Sequence, residues 1–333
     1  MSAKSCNRFA AFWYNNQPYY LYGQFSTPPM ITDYTNIIYD HFSKRITRST
    51  YQLDKEQNYL MRLATPLSHY AYENNNLMII YFKNGSGELQ WKDKRVKIDR
   101  DKFVVTNPSI GWEYVNPKSL PIDVLCIVIC EALREQFHYF KLTSMMQKLD
   151  NPFGQTNADS FFLEEPLGAA HYQSGQLLQR IHQFSSESAF HLTNPEELAM
   201  NVLESIYQDQ HHGYALAARV QAKKPSTQLE TFKRLLVAYE YIHDNINKSI
   251  SLNELSRVSS LSKFHLYDSF KNVYGQTPHQ YINRIKVTKA KEYLQQKGGS
   301  IGEIADLLGF NDISVFSKLF KKIYGNPPSH YQN

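Results

Sequence analysis

The chain has 333 residues and a formal net charge of +5, and 42% of its residues are hydrophobic while 20% are charged. This length exceeds one ordinary core, so we expect two domains, and the composition excludes disorder or collagen-like repeats for most of the chain. The apolar runs are too short for a membrane helix, and residues 1–16 lack a signal-peptide pattern. Three cysteines are too few for a disulfide framework. We therefore expect a cytoplasmic protein without membrane contact.

Residues 59–130 have the pattern of a β domain. Residues 77–82 are a short apolar run typical of a buried strand, and alternating apolar residues at 89–98 predict a hairpin. Residues 103–105 and 122–130 predict two further strands. Close turns without intervening helices favour a sandwich or a barrel.

After Glu131 the apolar residues recur at helical spacing. A second helix is predicted to begin at Pro166, and a third at residues 194–197, where a capping residue, a proline and two acidic residues follow one another. One apolar stripe of the third helix fits a core or a dimer interface equally well, and it consists of Leu198, Val202, Leu203 and Ile206.

The basic excess of the chain lies in its last third. Residues 225–333 contain 14 Lys and Arg against 9 Asp and Glu, which is a net charge of +5, whereas residues 1–224 contain 22 of each sign. Such a segment attracts a polyanion such as DNA, although many basic domains bind no nucleic acid. Residues 222–226 form the best linker candidate, and a capping box at residues 227–230 predicts the start of the next helix.

Residues 251–281 and 300–331 form an internal repeat. With one residue inserted in the second copy, Glu254 pairs with Glu303 and Phe270 pairs with Phe320, and the pattern Y-G-x-x-P-x-x-Y ends both copies. Each copy predicts a short helix, a tight turn and a second helix that begins at a capping residue. The repeat is therefore a pair of predicted helix-turn-helix units.

The second helix of each unit, at residues 262–273 and 312–323, is amphipathic. The buried face is predicted to consist of Leu266, Phe270 and Val273 in one copy and of Phe316, Phe320 and Ile323 in the other. The opposite face can enter a major groove about 12 Å wide. We therefore predict DNA contacts from the caps and exposed positions of both helices, which are Ser262, Lys263, Phe264, Tyr267, Asp268, Lys271, Asn311, Asp312, Ile313, Ser314, Ser317, Lys318 and Lys321.

Residues 277–296 predict one continuous helix between the two units. A helix of that length spans about 30 Å, close to one turn of B-DNA at about 34–36 Å. It would hold both second helices toward successive major grooves on one side of a duplex. A helical domain that only duplicates a packing unit is the alternative, but it gives no reason for the basic excess.

Residues 301–331 closely resemble the signature of the AraC/XylS family of bacterial transcription regulators, and the resemblance extends over residues 228–333. It implies that both helix-turn-helix units bind double-stranded DNA and that the protein recruits or repositions RNA polymerase. Asp268, Lys286 and Lys318 differ from the residues common in the family, which leaves the target sequence open. The β region is similar to the cupin-like sensor half of such regulators, which implies a small-molecule effector inside a barrel and a homodimer contact through the helices after Glu131.

We therefore predict a multidomain α+β protein. It consists of a cupin-like β-barrel at residues 1–130, a helical dimerisation region at 131–221, a linker at 222–227, and an all-α DNA-binding domain with two helix-turn-helix units at 228–333. Aromatic residues of the β region are candidates for the effector pocket, although core filling explains them equally well, and they are Tyr81, Trp91, Trp112 and Tyr114.

Enzyme functions fit the sequence less well. A cupin metal site needs histidines and a carboxylate from two strands, but His69 and Glu73 are the candidates on the first strand and residues 111–114 supply no histidine on the second. Three cysteines cannot form the four-cysteine zinc site of a DNA-repair module. We therefore expect no metal, cofactor or catalytic residue. The predicted function is that of a transcription regulator controlled by an effector. The alternative is a metal-free cupin-like binding protein or enzyme whose helical tail serves assembly only.

Overall fold

The structure is a computed structural model, and it describes residues 30–31, 56, 58–72, 76–91, 94–108, 111–118, 120–142, 163–186, 194–296 and 299–332. Most of the unassigned N-terminal segment lies outside the described residues, as does the candidate metal ligand Glu73. The described chain has a β-rich N-terminal region, a layer of helices and a helical C-terminal domain.

Two β-sheets make up the N-terminal region. The strands are β1 (Met30–Ile31), β2 (Asn58–Pro66), β3 (His69–Tyr72), β4 (Leu77–Asn84), β5 (Gly87–Trp91), β6 (Lys94–Ile98), β7 (Lys102–Thr106), β8 (Trp112–Val115), β9 (Pro121–Ile129) and β10 (Leu167–Gly168). The larger sheet has the order β1-β2-β9-β4-β7-β10, and the smaller has the order β3-β8-β5-β6. The pairings are antiparallel except for the parallel pair β1–β2.

Strand β4 shows why the sequence contains a continuous apolar run. It lies inside the larger sheet between β9 and β7, and residues 77–82 are all buried. Met78, Ile80 and Phe82 face the smaller sheet, whereas the alternate residues, including Tyr81, face the helices. Both faces of the strand are covered, so both sets of side chains are apolar.

The two sheets pack face to face around one apolar core. Among the described strands neither sheet closes on itself. The predicted β architecture of this region is confirmed at the level of two facing sheets, and the predicted closed barrel is not.

The helices are α1 (Glu131–Leu142), α2 (Gln173–Phe184), α3 (Pro195–Ala217), α4 (Pro225–Asp244), α5 (Leu252–Ser259), α6 (Lys263–Tyr274), α7 (Pro278–Gln295), α8 (Ile301–Leu307) and α9 (Ile313–Tyr324). Short 3₁₀ turns lie at Ala169–His171 and Pro328–Tyr331. In the described part of the chain, no helix combines the length and the apolar character that crossing a bilayer requires.

Helices α1, α2 and α3 cover the outer face of the larger sheet. The predicted start of a helix at Pro166 is wrong, because Leu167 and Gly168 pair with β7 as a short strand and α2 begins only at Gln173. The predicted start of α3 is confirmed, since the side chain of Asn194 accepts a hydrogen bond from the backbone N–H of Glu197.

The apolar stripe of α3 is part of the core within the chain. Leu198, Val202, Leu203 and Ile206 are buried against the larger sheet and its neighbouring helices. The alternative that this stripe forms a dimer interface is therefore wrong, since the side chains are already covered.

The predicted linker is shorter than expected. Helix α4 begins at Pro225 with Lys224 as its capping residue, so the predicted capping box at residues 227–230 lies within the first turns of the helix. The Gln228 side chain donates hydrogen bonds to the carbonyls of Val220 and Ala222. These bonds fasten the connecting segment to the start of α4.

The C-terminal domain contains two apolar cores that share α7. The first core joins the end of α3 with α4, α5, α6 and the start of α7, where Tyr281 and Ile282 are buried. The second core joins α8 and α9 to the rest of α7, through Val287, Ala290 and Leu294. The predicted continuous helix is thus confirmed as 18 residues, or about 27 Å, and it packs against both helix pairs.

Candidate DNA-binding surface

The two helix pairs, α5–α6 and α8–α9, have the same local chemistry. The second helices begin at Ser262 and Asp312, whose side chains accept hydrogen bonds from backbone N–H groups of the first turn. Both helices end at glycines with positive φ, Gly275 at 72° and Gly325 at 81°. The sequence repeat therefore extends to the caps and fixes the length of both helices.

The tight turn inside each pair uses a residue in the left-handed region. Ser260 has φ 53° after α5, and Gly309 has φ 66° after α8. A Cβ at Gly309 would lie 2.7 Å from the backbone carbon of Lys248 and therefore requires the backbone to move. Glycine is needed in the second turn because this turn contacts the backbone of the segment between α4 and α5.

The predicted buried faces are confirmed with one exception. Leu266, Phe270 and Val273 on α6 are fully buried, as are Phe316 and Phe320 on α9.

Ile323, the last predicted member of the buried face on α9, is 38% exposed, so its assignment to that face is wrong. Its counterpart Val273 lies in the larger core that α3 and α4 complete, whereas Ile323 lies outside the core of the second pair.

The opposite face of α6 is exposed and combines aromatic rings with charges. Phe264 is 78% exposed and Tyr267 is 46% exposed, which is unusual for rings of this size. Lys263, Asp268 and Lys271 are exposed on the same helix. The five predicted contact residues of α6 are thus free of the core and lie on one accessible surface.

The exposed face of α9 is more apolar. Ile313 is exposed together with Ser314, Lys318 and Lys321, whereas Ser317 is half-buried and Asn311 is exposed in the turn before the helix.

The sequence analysis missed Val315, which is 57% exposed. It also missed His265, the position that corresponds to Val315 in the first copy, which is exposed as well. Alignment of the two copies was the signal that could have revealed both, since each directly precedes a buried residue of the repeat.

The two predicted cap contacts are engaged within the protein. The Ser262 Oγ accepts a hydrogen bond from the His265 N–H at 3.2 Å, and the Asp312 Oδ1 accepts one from the Ser314 N–H at 2.6 Å. The backbone N–H of Ser314 lowers the pKa of the Asp312 carboxyl. Both side chains therefore hold the first turn of their helix, and contact with bases depends on the residues that follow them.

Lys286 connects the two helix pairs. Its side chain is 4% exposed, and its Nζ donates hydrogen bonds to the Lys248 carbonyl at 2.8 Å and the Gly309 carbonyl at 3.4 Å. Burial lowers the pKa of this ammonium group. The sequence analysis linked Lys286 to the choice of DNA target, but its side chain is buried, so its role lies in fixing one pair relative to the other.

Trp112 and Tyr114, two of the four candidate pocket residues, line a cavity of about 50 Å³ between the two sheets. Trp91 belongs to the same core, with the Lys94 Nζ lying 5.1 Å from its ring centroid.

The inclusion of Tyr81 in this pocket is wrong. Because successive residues of a strand face opposite sides, Tyr81 points to the helices, where its hydroxyl donates to Asp101 at 2.8 Å.

A partly buried ionic cluster joins the β region to the C-terminal domain. The Nζ of Lys102 on β7 lies 3.2 Å from Glu240 Oε2 and 2.9 Å from Asp244 Oδ2, both on α4. Glu240 also accepts hydrogen bonds from the Gly168 N–H and the Tyr172 hydroxyl. Burial lowers the pKa of Lys102, but the two carboxylates outweigh burial and raise it, so the ammonium is charged. We call Lys102, Glu240 and Asp244 the interdomain cluster.

Among the described residues, no three His, Cys, Asp or Glu side chains lie close enough together to hold a metal ion. The candidate ligand His69 instead lies with its Nε2 3.3 Å from Glu113 Oε2 on β8.

Comparison with known proteins places the C-terminal domain in a family. The family model described as a helix-turn-helix domain matches residues 255–333, which include most of α5 and all of α6 to α9. PqrA of Proteus vulgaris, named as a probable transcription factor, is 31% identical over 86 residues, which is 26% of this chain and 70% of that protein. The chain belongs to the AraC family of transcriptional regulators.

Other relatives of this AraC-family chain share the same segment. LumQ of Photobacterium leiognathi, named as a probable transcriptional regulator, is 38% identical over 92 residues, or 28% of this chain and 37% of that protein. The chain spans between 31% and 44% of the length of the first curated relatives that it matches. The solved structure of ToxT from Vibrio cholerae covers 83% of this chain and 97% of its own, at 15% identity and a TM-score of 0.31, which is too low to support an inference.

Proposed function

We propose that this protein is a transcription regulator that binds double-stranded DNA through two helix-turn-helix units, α5–α6 and α8–α9, and that a small-molecule effector controls it. The observation that carries the proposal is the pair of matched second helices, each of which has a buried apolar face and an exposed face with a lysine at the same position, Lys271 or Lys321. We call α6 and α9 the reading helices.

Charge supports the proposal. The net charge of +5 lies entirely in residues 225–333, and the exposed lysines of the reading helices belong to it. Phosphate contacts from such lysines supply affinity and orient a protein on the duplex, whereas contacts to base edges supply specificity. Lys271 and Lys321 are the phosphate candidates, and Phe264, Tyr267, Ile313 and Val315 are the candidates for apolar contact with thymine methyl groups.

The shared helix α7 and Lys286 support simultaneous binding by both units. Helix α7 packs against both cores, and the buried Lys286 ammonium holds the carbonyls of Lys248 and Gly309 together. Two units that cannot rotate freely lose less entropy when both bind one duplex.

The interdomain cluster supports regulation by the N-terminal region. It ties β7 to α4, the first helix of the C-terminal domain, through a buried ion pair. An effector that binds better to one arrangement of the two regions shifts the population toward that arrangement. Homodimer formation, contact with RNA polymerase and a cytoplasmic location remain predictions from the family resemblance.

The alternative, a binding protein or enzyme whose helical tail serves assembly only, leaves the exposed rings of Phe264 and Tyr267 and the basic excess without a role. The names of the curated relatives, which describe regulators, also favour DNA binding.

Mobility-shift titration of the full chain against genomic fragments tests the proposed function. We expect selected fragments to be retained, with affinity that falls as salt rises. Lys271→Ala and Lys321→Ala should each lower the slope of log affinity against log salt by about one unit. Lys83→Ala, which removes an exposed lysine of the β region, is the matched control and should leave the slope unchanged. Failure to retain any fragment, or equal slopes for all four proteins, would contradict the proposal.

A further inference from the structure

Three sulfur-containing side chains line the cavity between the two β-sheets. They are Met61 on β2, Met78 on β4 and Cys126 on β9, and the other side chains that line the cavity are aliphatic or aromatic. Thioether and thiolate sulfurs are soft donors, which bind soft metal ions. The expectation of a metal-free protein considered histidines, carboxylates and cysteines, and it did not consider methionines.

The strand register places these three residues next to one another. Met61 pairs directly with Cys126 across β2 and β9. Ile80 pairs with Cys126 across β4 and β9, and Met78 lies two residues before Ile80 on the same face of β4. Directly opposite residues have Cβ atoms about 4.5–5.5 Å apart, and diagonal neighbours lie about 7–8 Å apart, within reach of long side chains. Cys126 therefore has a methionine on each of its two neighbouring strands.

The size of the cavity favours an ion over an organic ligand. As bounded by the described residues, the cavity has a volume of about 50 Å³. Pockets for small organic molecules have volumes of about 300–1,000 Å³, and a cavity that holds benzene has about 150 Å³. A single metal ion fits the space that these residues enclose, whereas an aromatic or sugar ring does not.

The charge of the donor set selects a univalent ion. One thiolate and two neutral thioethers carry a charge of −1, so a univalent cation gives a complex with no net charge. A divalent cation would leave a charge of +1 among apolar walls, where an unpaired charge is costly. Among biological metals, Cu(I) is univalent and is the ion that thiolate and thioether ligands select.

The Cys126 thiol is available as a ligand. It forms no disulfide and is half-buried. Burial raises the pKa of this thiol to about 12, so the sulfur carries a proton that a metal must displace. Binding therefore releases one proton, and affinity for the metal must rise with pH.

Trp112 supplies an unused hydrogen-bond donor to the same cavity. Its side chain lines the cavity from β8, in the opposite sheet, and the residue is 5% exposed. The indole N–H is buried and has no hydrogen-bond partner in the part of the chain that the structure describes. A buried donor without an acceptor costs free energy, and a metal-bound thiolate in this cavity is an acceptor that it otherwise lacks.

We propose that the cavity between the β-sheets is a Cu(I) site, in which the Cys126 thiolate and the Met61 and Met78 thioethers bind the ion. The S–H bond of Cys126 is replaced by an S–Cu bond, the proton passes to solvent, and neither copper nor sulfur changes its oxidation state. We call Met61, Met78 and Cys126 the sulfur site. Its binding of Cu(I) goes beyond the proposed function and does not depend on it.

Anaerobic competition between the full chain and the chromophoric Cu(I) chelator bicinchoninate tests the sulfur site. We expect one Cu(I) per chain, and Zn(II) should not displace it. Cys126→Ser should weaken binding at least a hundredfold, and Met61→Leu and Met78→Leu should each weaken it about tenfold. The matched controls are Cys130→Ser and Met200→Leu, because both residues pack in the core between the larger sheet and the helices, and they should leave the affinity unchanged.

The dependence of affinity on pH tests the thiolate separately from the thioethers. After correction for the chelator, each unit between pH 6 and pH 8 should tighten Cu(I) binding about tenfold, because this range lies below the pKa of the Cys126 thiol at about 12. Cys126→Ser should remove this dependence. Failure to bind Cu(I), unchanged affinity in Cys126→Ser, or affinity independent of pH would overturn the proposal.

Folding of each variant is checked by circular dichroism and by the urea midpoint. Leucine has about the size of methionine and is tolerated in cores, and Cys126→Ala replaces Cys126→Ser if the serine variant fails to fold. Mobility shifts separate this proposal from the proposed function. DNA binding that depends on Lys271 in a chain that binds no Cu(I) refutes the sulfur site alone, whereas Cu(I) binding without DNA binding refutes the proposed function alone.

Discussion

Removal of the Lys102 charge is the sharpest test of how the two regions are joined. Lys102 and Glu240 are 9% and 7% exposed, and their charged atoms lie 3.2 Å apart. At an effective dielectric constant of about 20, two charges at this distance attract by about 5 kcal/mol, most of which repays the loss of hydration. Lys102→Met keeps an unbranched apolar side chain one atom shorter than lysine, but leaves the Glu240 carboxylate buried without its counter-charge.

We expect Lys102→Met to lower the free energy of unfolding by about 3 kcal/mol, the low end for breaking a buried pair. The low end applies because Glu240 keeps two hydrogen-bond donors, the Gly168 N–H and the Tyr172 hydroxyl. Asp244→Asn is the control, since the Asp244 side chain is 48% exposed and such a pair contributes under about 1 kcal/mol.

Urea unfolding, followed by tryptophan fluorescence, measures the stability change. Trypsin cleavage after Lys223 reports separately on the junction, because loss of the ion pair should expose this segment more often. The double variant Lys102→Met with Glu240→Gln should be more stable than Lys102→Met alone, since it removes the uncompensated charge. Lys102→Met within 0.5 kcal/mol of the parent protein, or additive losses in the double variant, would refute the reasoning.

Three further predictions concern the C-terminal domain. Phe264→Ala should weaken DNA binding at least fivefold without lowering the urea midpoint, because the ring is exposed. Phe270→Ala should instead destabilise the domain by about 3–5 kcal/mol, because that ring is fully buried. Equal effects of the two changes on stability would contradict the assignment of the two faces of α6. Lys286→Met should weaken binding to DNA that both helix pairs contact more than binding to DNA that one pair contacts, because it frees the carbonyls of Lys248 and Gly309. Mobility shifts measure both affinities, and an equal loss on both DNA sites would rule out the connecting role of Lys286. Burial, with smaller contributions from His171 and Lys102, lowers the pKa of His243 to about 3. Between pH 7 and pH 5 the unfolded chain therefore binds a proton that the folded chain excludes, and the free energy of unfolding should fall by about 2 kcal/mol. His243→Gln should flatten this pH dependence, and an unchanged pH profile in the variant would contradict the prediction.

Local pattern was sufficient wherever a short segment determines its own structure. The repeat predicted both helix pairs, the caps at Ser262 and Asp312 and the shared helix, because capping residues and apolar spacing act within a few residues. The same holds for the apolar run that forms β4 and for the cap of α3 at Asn194.

Long-range contacts explain the errors. Pro166 resembles a helix start, but Leu167 pairs with Phe103 and the Gly168 N–H binds Glu240 on α4, contacts that no local pattern contains. Lys286 looks like any basic residue of a DNA-binding helix, and only the approach of the Lys248 and Gly309 carbonyls makes it a structural residue. The cavity of about 410 Å³ between the helical layer and the C-terminal domain takes its walls from four separate parts of the chain, at residues 163–172, 209–219, 232–239 and 273–284. Its shape is likewise a property of the assembled fold.

The two helix pairs differ in how they are attached, although their sequences repeat. The core of the first pair continues into α3, and the Arg219 Nη1 donates to the Val273 carbonyl at the end of α6, so a shift of the helical layer reaches this pair directly. The core of the second pair contains residues of α7, α8 and α9 together with the C-terminal turn. A change at the interdomain cluster therefore acts first on α6, and it reaches α9 through α7 and Lys286. If an effector controls the protein as proposed, we expect the first pair to respond first and the second pair to follow through the Lys286 contacts.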